Sequence, residues 1–243
     1  MLTPREIVRL LRQEYGELAW RPRADPMIEL VQTVLSQNTS DSNSGRAFAR
    51  LLVRFPTWED LLAADPAAIE EAIQVGGLAR VKAPRIKAIV EEVWSRQGSL
   101  RQAQGRPFGS AQDRPFDLSF LREMPLAEAR AWLRSLPGVG PKTAACVLLF
   151  ALGRPALPVD THVHRLAKRL GLVPSQVTAE KAQEILEGML APGDAPEAHP
   201  PPAEVYAFHM GLVKHGRRIC KAQRPLCRQC VLAFGCPSAV ISP

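Results

Sequence analysis

Apolar side chains recur every three to four residues through 3–14, 27–37, 42–54, 80–96, 161–170, 178–190 and 203–214. That is the period of helices that bury one face. No stretch alternates apolar and polar positions between turn signals as a half-buried strand does. Helix starts are marked too. Asp25-Pro26 and Asp65-Pro66 each pair an N-cap with proline at the first helical position. Thr57-Trp58-Glu59-Asp60 has the spacing of a capping box ahead of Leu61-Leu62. Met124-Pro125 opens another helix, which ends near Leu136-Pro137. The pattern predicts an all-α protein of about ten helices.

Two segments interrupt it. Residues 97–117, QGSLRQAQGRPFGSAQDRPFD, are polar and contain RPF twice. They read as an insertion loop, the repeat being too short for a solenoid. Residues 191–202, APGDAPEAHPPP, hold five prolines and cannot be regular helix. They read as a surface connection between two helices.

The least polar helix follows LPGVG (136–140). Ala144, Ala145, Val147, Leu148, Leu149, Ala151 and Leu152 leave almost no polar face, so the helix is predicted to be buried, with Cys146 as packing. Yet it opens on Lys142, at the end where the backbone dipole disfavours a cation. Gly138 and Gly140 permit a tight turn whose exposed N–H groups adjoin a helix N-terminus. Such a turn can bind an anion such as a phosphate through its backbone. The next helix start, in VDTHVHRLAKRLG (159–171), carries Asp160, which suits an N-cap. A lysine at such a position serves as a phosphate contact or as a nucleophile. A nearby aspartate accepts protons and stabilises positive charge developing on a sugar.

Length and charge narrow the class. The 243 residues, 46% of them hydrophobic, allow a sizeable core in one large or two small domains. No run is apolar enough to span a membrane, and the charged N-terminus MLTPREIVRLLRQEYG reads as an amphipathic helix rather than a signal peptide. A cytoplasmic location with no membrane partner is the expectation. The net charge is +7, unevenly spread. From Val205 to Pro243 there is no carboxylate, against Lys214, Arg217, Arg218, Lys221, Arg224 and Arg228. Between Glu128 and Glu180 the only acid is Asp160, against seven Lys and Arg. These stretches point to a polyanion, most simply nucleic acid; solvated basic faces are the alternative.

Four of the five cysteines form a run, Cys220, Cys227, Cys230 and Cys236, spaced C-x6-C-x2-C-x5-C. Thiols this dense point to metal in an intracellular protein. Structural zinc favours paired C-x2-C knuckles or added histidines, and only one C-x2-C is present. The irregular spacing suits a [4Fe-4S] cluster ahead of zinc, with disulfides third.

LPGVGPKTA, then VDTH, then this cysteine run closely resemble the endonuclease III family of helix-hairpin-helix DNA glycosylases. The resemblance covers nearly the whole chain outside 97–117 and the proline-rich segment. It implies two helical domains with DNA in the cleft between them. One is a six-helix barrel over 21–154, with the helix-hairpin-helix at 126–152. The other combines 1–20 with 155–243 and carries the cluster loop. The resemblance makes Lys142 the Schiff-base lysine, Asp160 the catalytic aspartate, and Cys220, Cys227, Cys230 and Cys236 the ligands of a [4Fe-4S] cluster. Gln37 in SQNTSD (36–41) becomes the residue that fills the gap left by a flipped base. Leu78 in GGLARVKA (76–83) becomes the intercalating wedge. Gly138, Gly140, Thr143 and His162 become further DNA contacts. The implied activity is base excision of a damaged base, an oxidised pyrimidine, with cleavage at the abasic site, by a monomer on double-stranded DNA. Two departures stand out: Pro141 replaces the Arg or Lys of some members, and SQNTSD differs from the commoner SAQATD. A monofunctional adenine or thymine mismatch glycosylase remains open, although those relatives generally lack the lysine. So does a non-catalytic DNA-binding module.

Overall fold

Side-chain capping marks where seven of the described helices begin. The computed structural model describes residues 1–20, 25–103, 116–192 and 199–240. In chain order the helices are α1 (Pro4–Tyr15), α2 (Pro26–Ser36), α3 (Asp41–Arg54), α4 (Trp58–Ala63), α5 (Pro66–Ile73), α6 (Ala79–Ala103), α7 (Leu126–Arg134), α8 (Pro141–Cys146), α9 (Thr161–Arg169), α10 (Ala179–Leu190) and α11 (Pro202–Arg218). No strand occurs among the described residues. Asp25, Asp65 and Asp160 each accept a hydrogen bond from a first-turn N–H of the helix they cap. Thr57 and Asp60 form the capping box reciprocally, and Thr3 with Glu6 forms a second one at α1. None of the described helices is long and apolar enough to cross a membrane.

Two elements differ from the sequence expectation. Residues 97–103 continue α6 rather than starting a loop. Gln97 explains the extension: it is buried, accepts from Phe116 N–H at 2.7 Å and donates to Asp117 O at 2.6 Å, so the returning chain is tied to the helix. Residues 104–115 of the expected insertion, and 193–198 of the proline-rich connection, lie outside the described residues. The second difference concerns the apolar helix after LPGVG. It is α-helical only to Cys146 and then widens into a π-helix over Val147–Ala151. Inside that wider turn the Leu149 carbonyl accepts from the Trp20 indole N–H at 2.7 Å, a partner for a carbonyl released from the α-helical ladder.

The chain divides into two compact units, Arg23–Val147 and Met1–Pro22 with Leu148–Pro243. One of the two chain passages between them, Val147 to Leu148, falls inside the π turn. The central unit buries Leu30 and Val34 of α2, Leu51 of α3, Ile69 and Ile73 of α5, and Ile86, Ile89, Val90 and Val93 of α6. The terminal unit buries Ile7 and Leu11 of α1, Leu166 of α9, Leu186 of α10, and Val205, Phe208 and Leu212 of α11. Each core is made of the positions that recur at helical spacing.

Candidate active site and nucleic-acid-binding loops

In the central unit the chain turns between α7 and α8 at LPGVG. Val139 N–H closes the turn on Leu136 O at 3.2 Å. Gly138 has φ +70, a left-handed conformation that an L side chain resists. A Cβ there would also collide with the Arg85 side chain. Gly140 has extended backbone (φ −88, ψ 178) and caps α8; a Cβ built on it meets nothing within 4 Å. The glycines therefore differ in role: Gly138 shapes the turn, and Gly140 keeps its approach clear. Pro141 takes the first helical position, so Lys142 stands in the first turn of α8, half-buried. Among the described residues its ammonium has neither a hydrogen-bond nor an ion-pair partner.

Gln37 joins this turn to the loop after α2. Its Nε2 donates to Thr143 Oγ1 at 3.2 Å and to Gly138 O at 3.4 Å, while its Oε1 accepts from Arg85 at 2.8 Å. Thr143 is 3% exposed, so its side chain serves Gln37 inside the fold. Asn38 follows with φ +52 and is exposed. Leu78 matches it on the loop before α6, with φ +54 and 53% of its surface exposed. Left-handed backbone is uncommon away from glycine and concentrates at functional sites. Two such tips lie on adjoining loops, because Thr39 Oγ1 donates to Gly76 O at 2.8 Å.

Asp160 lies in the terminal unit. Its Oδ1 accepts from Val163 N–H at 2.8 Å, which fixes the start of α9 and leaves the second oxygen for other work. His162 turns inward: Arg165 donates to its Nδ1 at 3.1 Å, beside Gly216 of α11. Burial lowers its pKa, against the pull of Asp160. Arg165 and Arg169, one helical turn apart, reach the cysteine loop. Arg165 donates to Gly216 O at 3.0 Å and to Cys220 O at 2.9 Å. Arg169 donates to Lys221 O at 2.7 Å, Ala222 O at 2.9 Å and Cys220 Sγ at 3.2 Å.

The four thiols of that loop line one cavity, with Arg169, Ile219 and Leu226 among the other walls, enclosing about 320 Å³ of partly open space. Among the described residues no three His, Cys, Asp or Glu side chains are grouped as a metal-ion site. Burial pushes the Cys230 thiol up to about 11, and the three other cysteines add to the rise. His215 is buried and pushed down to about 4, so its ring is neutral at pH 7. Tyr15 OH lies 2.8 Å from its Nδ1 and Cys230 Sγ 3.2 Å from its Nε2. One tautomer satisfies both: Tyr15 donates to Nδ1, and Nε2–H donates to sulfur.

Comparison with known proteins decides the family. The model of the HhH-GPD superfamily of base excision DNA repair proteins matches residues 31–192. The chain belongs to this superfamily. Within it, endonuclease III of Thermotoga maritima is 34% identical over 96% of this chain and 89% of that protein. Endonuclease III of Synechocystis is 32% identical over 98% and 93%. A relative in Arabidopsis thaliana reaches 43% identity over 63% of this chain, but the chain spans only 46% of that protein. A solved non-covalent endonuclease III–DNA complex superposes with a TM-score of 0.72 at 27% identity, covering 98% of this chain and 97% of that one. A thermostable thymine-DNA glycosylase shares the fold, with a TM-score of 0.70 at 21% identity and coverage of 97% and 94%.

This base excision DNA glycosylase, endonuclease III-like, has features that its sequence did not announce. Asn38, the exposed tip beside Gln37, was legible only as one polar residue in SQNTSD. Arg165 and Arg169 looked like part of a basic surface, yet their guanidiniums hold carbonyls of the cysteine loop. Lys82, within GGLARVKA where the 80–96 helical repeat begins, is 2% exposed. The cysteine loop fits an iron–sulfur cluster in its donor set. Burial and the neighbouring cysteines oppose ionisation of Cys230 and Cys236, and bound iron would relieve that opposition. Arg169 and His215 direct N–H groups at two of the sulfurs, as thiolate ligands require.

Proposed function

We propose that this HhH-GPD protein is a bifunctional DNA glycosylase. It excises a damaged base, of the oxidised pyrimidine class, and then cleaves the abasic strand through a Schiff base on Lys142. The carrying observation is Lys142 itself: a half-buried amine with no partner among the described residues, beside a turn that Gly140 leaves open. A lysine needed only for folding would bond a carbonyl or carboxylate, as Lys82 does.

The chemistry balances on this chain's groups. The Lys142 ammonium first loses its proton to give the free amine, and Asp160 acts as a proton acceptor and stabilises the positive charge that develops at the sugar. Nζ forms a bond to C1′, and the C1′–N glycosidic bond breaks with its electron pair leaving on the base, which is then protonated. Ring opening gives an imine. Loss of a C2′ proton then expels the 3′ phosphate, and water releases Lys142. The base must leave the stack first, which costs least when damage has weakened its pairing. Leu78 and Asn38 are the tips that enter the duplex, and Gln37 holds the loop that carries Asn38.

Cys220, Cys227, Cys230 and Cys236 hold a [4Fe-4S] cluster in this reading. When bound, it supplies a redox-active centre and cross-links the loop that displays Lys221, Arg224 and Arg228. The deciding experiment is a set of duplexes, each with one lesion or mismatch, scored separately for base release and strand scission. Scission with a borohydride-reduced adduct mapping to Lys142 supports the reading. Base release from a mismatch without scission or adduct makes the protein monofunctional.

A further inference from the structure

Lys82 is the most deeply buried cation among the described residues, and the proposed chemistry does not use it. Its ammonium donates to Leu35 O and to Thr39 Oγ1, both at 2.6 Å. Leu35 lies in the last turn of α2, where the exposed carbonyls favour a cation. Thr39 passes the connection on, donating to Gly76 O at 2.8 Å. The Lys82 main chain completes the circuit: its N–H donates to Leu78 O at 3.0 Å. Gly76 packs close against α3, since a Cβ built there would come 2.8 Å from Ala47 Cβ. One residue therefore grips the loop carrying Asn38 through its side chain and the loop carrying Leu78 through its backbone.

An ammonium buried without a carboxylate partner is costly for packing alone, and methionine would fill the same space without that cost. What the ammonium adds is a fixed relation between two loops whose tips, Asn38 and Leu78, are both left-handed and exposed. Strained backbone persists only where its surroundings over-determine it. Burial, reinforced by Arg85, lowers the Lys82 pKa, in keeping with a group held away from water.

We propose that Lys82 and Thr39 are positioning residues that hold Asn38 and Leu78 ready to enter the duplex together. The inference rests on the reading of these two tips as the inserting elements. It adds a connection between them that neither tip provides.

The test uses the full chain and a duplex containing one base that the wild type excises, with 2-aminopurine as the opposite base. Lys82→Met, Thr39→Val, Thr39→Ser and Leu78→Gly are compared by single-turnover base release and 2-aminopurine fluorescence at saturating protein. Lys82→Met and Thr39→Val should each slow release about tenfold, equivalent to about 1.4 kcal/mol, and lose most of the fluorescence rise. Affinity for undamaged duplex should stay within about twofold, because no phosphate contact is removed. Thr39→Ser, which keeps the hydroxyl, should retain both rate and fluorescence. The double variant should be no slower than the slower single variant, since both break one connection. Wild-type rate and fluorescence in Lys82→Met, with Leu78→Gly impaired, overturns the inference and leaves the reading of the tips intact. Wild-type behaviour of Leu78→Gly overturns that reading and the inference with it. Should Lys82→Met not fold, Thr39→Val decides: a loss of rate that Thr39→Ser shares, or no loss at all, overturns the proposal.

Discussion

At single residues the proposed roles separate into distinct losses. Lys142→Gln removes the only amine at the start of α8. It should abolish borohydride trapping and strand scission, while duplex binding, measured by fluorescence anisotropy, stays within about threefold because one cation is lost from many. Asp160→Asn keeps an N-cap acceptor, so α9 should hold and the melting temperature should move little. Base release should fall by about 100-fold or more, in the range a positioned acid–base or charge-stabilising group contributes. Trapping on a preformed abasic site should survive more weakly, since no base has to be expelled there. Gln37 and Asn38 make a second contrasting pair. Gln37→Ala breaks the bonds to Arg85, Gly138 and Thr143, and should cost about 1–2 kcal/mol in urea unfolding. Asn38→Gly suits the left-handed backbone and should leave stability nearly unchanged. It should instead slow excision from paired duplex. If Asn38→Gly excises normally while Gln37→Ala fails at full stability, the filling role returns to Gln37.

Among the elements, the hairpin turn and the cysteine loop each depend on a few contacts. Gly138→Ala forces an L side chain into φ +70 and against Arg85. Stability should fall by about 1 kcal/mol or more, with DNA binding lost more steeply, because Gln37 bonds the carbonyl of that residue. The cysteine loop is tied to α9 by Arg165 and Arg169 and to α11 by His215. Purified protein should contain about four irons per chain, as a [4Fe-4S] cluster requires, and show the visible absorbance that zinc cannot give. Cys227→Ala should lose iron and solubility together. Arg169→Leu should keep the four thiols yet release iron faster to a chelator, because an N–H bond to Cys220 Sγ and two carbonyl ties disappear. Stoichiometric zinc without iron after anaerobic purification counts against the cluster.

Across the whole molecule, the net charge of +7 divides into cations that fold the chain and cations that face solvent. Arg85, Arg165, Arg169 and Lys82 donate to internal acceptors, whereas Lys221, Arg224 and Arg228 are exposed. Non-specific duplex affinity should fall linearly on a log–log plot against salt. Lys221→Ala or Arg224→Ala should reduce that slope by about 1 if each side chain meets a phosphate. Arg165→Ala should leave the slope unchanged and lower the melting temperature instead. The sequence by itself determined the all-α class and most helix starts, since a side-chain cap and the N–H it binds lie within three residues of each other at α1 to α5, α9 and α10, and proline stands at or beside the start of α7, α8 and α11. It also singled out Lys142 and Asp160 as helix-start residues and the cysteines as one run, because motif and spacing are one-dimensional. Only the tertiary structure decided which polar groups turn inward. Lys82 finds its acceptor on Leu35, 47 residues away, and Gln37 finds Thr143 at a separation of 106. A buried polar group must be paired. When its partner is that remote in sequence, no local pattern records the pairing, and packing chooses between an exposed side chain and a structural one.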